Sequence, residues 1–108
     1  MAMALAIRFF ETAAGRSQPR EFLEGLQLRD RACIMTDVLR VAEMGRAAPV
    51  SVKAITGRPG LLEIRTRGFR TLFVLGPGTL MWILHACRKQ DQWHGIEMAV
   101  ERMKKLRR

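Results

Sequence analysis

Four basic residues, Arg65, Arg70, Arg88 and Lys89, are spaced along the chain so that a sheet would gather them around one acid, Glu63. If Arg67-Gly68 is a two-residue hairpin loop, Arg65 lies directly opposite Arg70. If Gly76–Gly78 is a three-residue loop pairing Leu75 with Thr79, Arg70 pairs with Leu84 and Arg88 leaves the strand end from the same face. Two guanidiniums held face to face repel unless a carboxylate or an external anion neutralises them. One reading makes Glu63 the centre of a salt-bridge network on the sheet. The other is a phosphate site, in which Arg65, Arg70, Arg88 and Lys89 converge on a scissile phosphodiester and stabilise the charge that develops there.

Other side chains are weighed against the same site. His94 is placed to protonate a leaving 5′-oxygen or to stack on a base, or it is an exposed residue of a helix start. His85 has the parity of Met81 and Ile83 and reads as a core histidine. His85, Cys87 and His94 lack the paired spacing of closed metal sites, so no metal and no cofactor are expected. Trp93 is either a core anchor or a stacking platform, and Trp82 packs under the C-terminal helix. Lys104 and Lys105, with Arg107 and Arg108, end the chain as a solvated helix terminus or as phosphate contacts.

These residues belong to a chain of 108 residues with 19 basic and 10 acidic side chains, a formal charge of +9. That length bounds one domain, 1–108, with a single core. Residues 53–108 hold twelve Lys/Arg and four acids, whereas residues 1–52 hold seven Arg and six acids. Fifteen of the basic residues are Arg, whose planar fork takes phosphate bidentately. The one-sided charge points to nucleic acid or a ribonucleoprotein as partner. Cys33 and Cys87 form no Cys-x-x-Cys pair and read as reduced thiols. No secretory signal or membrane span is visible, and a cytoplasmic location is expected.

The elements that would position the arginines follow from periodicity. Ala4–Phe10 is strand-like. Pro19 suits a first helical turn capped by Ser17 or Gln18, and that helix is interrupted near Gly25. A second helix runs from Leu28 to Met44. Leu28, Ala32, Met35, Leu39 and Ala42 make its stripe, widened by Ile34, Val38 and Val41. Val50–Ile55 pairs or is a loop. Leu61–Arg67, Phe69–Leu75 and Thr79–Cys87 form a meander, and residues 71–87 contain no Lys, Arg, Asp or Glu, marking the sheet centre. Leu62, Ile64, Phe69, Phe73, Leu75, Met81 and Ile83 share the face of the main core. A last helix starts near Asp91 as N-cap and buries Trp93, Ile96, Val100 and Met103. The class is α+β: an N-terminal strand, a helical hairpin, a mostly antiparallel sheet and a C-terminal helix.

Three runs, Gly60-Leu61-Leu62-Glu63-Ile64-Arg65, Phe69-Arg70-Thr71-Leu72-Phe73 and Leu84-His85-Ala86-Cys87-Arg88-Lys89-Gln90, resemble the RelE/ParE toxin superfamily, and most of all phage-derived HigB-like toxins. Arg20-Glu21-Phe22-Leu23 and Asp30-Arg31-Ala32 resemble that family's helical hairpin. The ordered set covers most of the chain. The resemblance implies a RelE-like fold and a type II toxin that enters the ribosome and cleaves mRNA without metal, the ribose 2′-OH being the nucleophile. By matched position Arg65 and Arg70 correspond to the family's strand arginines, Arg88 and Lys89 to its basic strand end and Lys53 to a lysine before the Leu-x-Glu-Leu-Arg run; the first four, with His94 added from its own reading, are the expected catalytic set. Lys53, Arg67, Trp93, Lys104 and Lys105 are the RNA contacts. The implied partners are the ribosome, its mRNA and a cognate antitoxin, a HigA-like helix-turn-helix protein, with no membrane.

The chain departs from the pattern in having no Tyr: Phe69 and Phe73 stand where the second strand of the family carries tyrosines. A tyrosine near the start of the last helix has no counterpart except Trp93 or His94. Two rivals follow, a ParE-like inhibitor of DNA gyrase and a catalytically degenerate toxin that only occupies RNA or the ribosome.

Overall fold

A computed structural model of the chain describes residues 4–106. Arg107 and Arg108, and the first three residues of the N-terminal apolar run, lie outside the described residues. The elements are β1 (Ala6–Phe9), α1 (Gln18–Glu24), α2 (Leu28–Met44), β2 (Ser51–Ala54), β3 (Leu62–Thr66), β4 (Phe69–Leu75), β5 (Leu80–Arg88) and α3 (Gln92–Leu106). Short 3-10 turns at Gly45–Ala47 and Lys89–Asp91 follow α2 and precede α3. The five strands stand in the order β1-β5-β4-β3-β2. β1 runs parallel to β5, and the other neighbours are antiparallel. The α+β class and its order of elements are those expected.

Local chemistry explains the first helices. Ser17 is extended and its hydroxyl accepts from the Arg20 amide, while Pro19 occupies the first turn without a lost hydrogen bond. Gly45 ends α2 at φ +61, a conformation a side chain would strain. Val50–Ile55 resolves as a paired edge strand, with Lys53 opposite Glu63.

The sheet has a helix layer on each face. One face packs Leu62, Ile64, Phe69, Phe73, Met81 and Ile83 against Leu23 of α1 and Ile34, Val38, Val41 and Ala42 of α2. This is the face assigned to the main core, except that Leu75, at its strand end, is exposed. The other face packs Leu72, Val74 and Leu84 against Ala99 and Met103 of α3.

Three expectations are corrected. On α2 the buried stripe is Ile34, Val38 and Val41, whereas Leu28 (71% exposed) and Leu39 face solvent. Two apolar stripes run side by side on this helix, and the sheet takes the one with three branched aliphatics. On α3 the buried residues are Gly95, Ala99 and the expected Met103, with Ile96 and Val100 packed beside them as expected, whereas Trp93 is 82% exposed. Small residues let the helix approach closely: a Cβ on Gly95 would lie 2.9 Å from Cys87 Sγ and 3.0 Å from His85 Cδ2. Asp91 does not begin the helix directly, because it ends the 3-10 turn before Gln92.

The third correction moves side chains between faces. The β4–β5 turn is longer than three residues, so Leu75 faces Met81. That alone shifts the pairing by two and preserves every face. A bulge opposite Leu72/Phe73 then adds one more residue, since Phe73 pairs with Ile83 but Leu72 pairs with His85. Beyond it each β5 residue points opposite to the simple alternation. Arg70 therefore pairs with Cys87 and not Leu84, and His85 turns towards α3 and away from Met81 and Ile83. No described helix is long and apolar enough to cross a membrane.

Candidate functional site

The tip of the β3–β4 hairpin builds the site. Thr66 faces Phe69 across the turn, and Arg65 faces Arg70, as the two-residue loop requires. Arg67, in the turn, holds φ +54, a left-handed conformation that costs a side-chain residue free energy. The turn is anchored on three sides. The Arg67 and Phe69 carbonyls both accept from Arg70 Nη1 at 2.9 Å. The Gly68 carbonyl accepts from the Lys89 amide at 2.7 Å, and Thr66 donates to Asp37 of α2 at 2.7 Å.

Glu63 is the centre of the arrangement. Its carboxylate is fully buried, yet accepts from Arg65 Nε at 2.9 Å and from Gln92 Nε2 at 3.0 and 2.7 Å. Arg70 Nε lies 3.9 Å from the same oxygen and has no hydrogen-bond partner. One buried negative charge thus faces two guanidiniums. Burial of the carboxylate is costly in itself, and the amide of Gln92 and the fork of Arg65 satisfy it. Arg65 remains exposed at its outer end, while Arg70 is buried. The local charge of the trio is positive and open to an anion on the Arg65 side.

The remaining predicted residues divide. Lys53, opposite Glu63 on β2, shares the row and is exposed. Lys89 is exposed at the end of β5, tied to the hairpin turn through its amide. Arg88 does not share the arginine face. The bulge turns it to the α1–α2 side, where its guanidinium lies 5.3 Å from the Phe69 ring centroid. It reaches the site only around the strand end. Trp93 projects to solvent from the first turn of α3, next to Gln92. His94 is exposed, its ring edge-on to His85 at 6.5 Å. Lys104 and Lys105 occupy the last turn of α3, roughly 15 Å or more of helical rise from Gln92, and are not brought to the hairpin tip.

Two participants, Gln92 and Arg102, escaped the sequence. Gln92 is the only side chain of α3 bonded to Glu63 among the described residues, and a glutamine at a helix start carries no signal of its own. Arg102 donates to the Leu84 carbonyl at 2.9 Å and meets His85 Nδ1 at 2.6 Å. Burial, then the Arg102 charge, then His94, hold the His85 imidazole down at about 4, so it is neutral near pH 7 and accepts from Arg102. Cys87 is pushed up to about 11 by burial and by the Asp91 and Glu63 carboxylates, leaving an unreactive thiol.

Residues 21–104 match the model of the phage-derived Gp49-like proteins (DUF891). The chain belongs to the phage-derived Gp49-like family. This is a RelE/toxin-like family, and the α+β fold described above is compatible with a RelE-like fold. The Gp49-like span takes in the second half of α1, all of α2, the whole arginine row from Glu63 to Lys89, and α3 through Lys104. No curated protein matches the chain.

Proposed function

We propose that this Gp49-like protein is the toxin of a toxin–antitoxin pair and acts as a ribosome-dependent, metal-independent mRNA endoribonuclease, restrained by a cognate helix-turn-helix antitoxin of HigA type. The observation that carries the reading is the opposition of Arg65 and Arg70 across one buried carboxylate, a cationic pair whose excess charge an RNA phosphate would neutralise. In the reaction the ribose 2′-hydroxyl gives up its proton to solvent water as its oxygen attacks the adjacent phosphorus, the P–O5′ bond breaks, and a 2′,3′-cyclic phosphate and a free 5′-hydroxyl result. Arg65 faces the phosphate and Glu63 holds its guanidinium, while Arg70 holds the carbonyls of the turn beside it. Lys89 and Lys53 add charge at the two sides, with Arg88 reaching round the strand end. His94 is the exposed imidazole available to protonate the leaving 5′-oxygen. Arg67 and Trp93 contact the RNA from the turn and from α3, and Lys104 and Lys105 meet more distant phosphates.

The test is cleavage of mRNA on purified ribosomes, read by primer extension. Arg65→Ala removes a cation that serves the transition state and should cost on the order of 3 kcal/mol, about a hundredfold in rate. Arg65→Lys should rescue it in part, since the ammonium keeps the charge without the fork. Equal cleavage by wild type and Arg65→Ala removes the arginine row from the chemistry. A second reading, a toxin that occupies the ribosome without cutting, is favoured by one observation. Arg70 is buried and spends its Nη1 on two backbone carbonyls. Blocked translation with intact mRNA selects it.

A further inference from the structure

We infer that the end of the molecule remote from the arginine row is a docking trough for an extended, acidic peptide segment with large apolar side chains, supplied by a partner protein. The inference goes beyond the nuclease reading and does not depend on it.

The trough is made of three cavities that share walls. The central one, about 360 Å³, lies between the β4–β5 turn and the end of α3, floored by Trp82, Met103 and Leu106. A second, about 310 Å³, shares Gly60 and Leu75 with it and reaches Arg46 and Arg58. A third, about 450 Å³, shares Trp82 and Leu106 and reaches Arg8 and Arg20. The floor is apolar and shaped by Gly76, where a Cβ would stand 3.2 Å from Trp82 Cδ1, tighter than an ordinary contact, so the indole and the turn would have to part. Leu75 is exposed in its wall.

The walls are cationic at both ends. Glu11 is the one acid among the lining residues of the three cavities, and Arg20 already holds it at 3.0 Å. An occupant must therefore bring apolar groups for the floor and negative charge for the rim. The trough crosses the sheet from β1 to β2, roughly 19 Å at ordinary strand spacing, which is about six residues of extended chain. A strand-like segment with alternate acidic and apolar side chains supplies both at that spacing. RNA would satisfy the rim, but would lay its phosphates and sugars along an apolar floor.

The probe is a blocked eight-residue peptide of alternating glutamate and leucine, titrated into the whole protein and read by amide and indole NMR shifts. Saturable shifts are expected at Gly60, Leu75, Gly76 and the Trp82 indole, with Gly68 and Lys89 unmoved. A glutamate–serine peptide and a lysine–leucine peptide should each bind at least tenfold more weakly. Leu75→Glu and Arg58→Glu, both at exposed positions, should each weaken binding by a similar factor while the rest of the spectrum is retained. Equal binding by the lysine–leucine peptide, competition by oligouridylate for the same resonances, shifts confined to the hairpin tip, or no saturable shift at millimolar peptide would each overturn the inference. Loss of mRNA cleavage bears on the arginine row and leaves this result standing.

Discussion

The two faces of the sheet solve the same packing problem differently. Over the α1–α2 face the strands present mostly aliphatic and aromatic side chains, with the buried Thr71 between Phe69 and Phe73, and the branched residues of α2 close over them. Over the α3 face the same strands bury Glu63, Arg70 and His85 beside Leu72 and Leu84. The first face can be held by any side chains that fill its volume. The second is held by donors and acceptors that need partners, which Gln92 and Arg65 are for Glu63 and Arg102 is for His85, while Arg70 Nε is left with only the nearby Glu63 charge. A polar layer of this kind is expensive to break at a single point, which makes it a rigid support for the exposed end of Arg65.

The sharpest way to break the comparison is Glu63→Ala. It leaves Arg70 buried with no counter-charge, and should destabilise by roughly 3–5 kcal/mol, whereas Glu63→Gln should cost less because an amide still accepts from Arg65. Chemical denaturation of both variants measures the difference. A loss below 1 kcal/mol for Glu63→Ala would mean that water, not the carboxylate, serves the arginines. Gly95→Ala tests how tightly α3 is seated on the polar face. The new Cβ meets Cys87 Sγ and His85 Cδ2 at about 3 Å, so a cost of about 1–3 kcal/mol is expected in thermal melts.

His85 gives the polar face a pH response. Its folded pKa, about 4, lies below the ordinary imidazole value of 6.5. Between those values the unfolded chain binds more proton than the folded one, so stability falls as pH drops from 6.5 towards 4. His85→Asn keeps an acceptor for Arg102 without the titration, and its stability should vary less with pH over that window. Denaturation midpoints at pH 7 and pH 5 compare the two. An unchanged slope would assign the acid loss to carboxylates elsewhere. The smallest effect is expected at Leu39→Lys, on the exposed stripe of α2, within about 0.5 kcal/mol, while Val38→Ala one residue away should cost 1 kcal/mol or more.

What could be read in the residues, and what could not, has physical causes. The opposition of Arg65 and Arg70 followed from a turn of two residues and strict alternation, both local. So did the main core face, because alternation holds along β3 and β4. The position of Arg88 did not, because a single bulge at the β4–β5 pairing inverts everything beyond it, and a bulge has no fixed residue signature in this stretch of apolar side chains. On α2 the stripes with Leu28 and with Val38 are both apolar, and only the sheet they meet chooses between them. Trp93 was grouped with Ile96 and Val100 by spacing. The closest approach of α3 falls instead on Gly95 and Ala99, where the absence of side-chain bulk, not its presence, marks contact. Gln92 became legible only once Glu63 was seen to be buried.

One glutamine has a consequence for how the protein keeps to itself. β1 pairs with β5 only as far as Ile83, and the outer edge of β5 runs on past it towards Arg88. Gln18, from the first turn of α1, closes that edge: its amide donates to the Ala86 carbonyl at 2.7 Å and accepts from the Ala86 amide at 3.1 Å. A single side chain thereby imitates one residue of a sixth strand. Without it the free edge of the most apolar strand would be a template for another chain, and the protein's first failure would be polymerisation edge to edge, not unfolding.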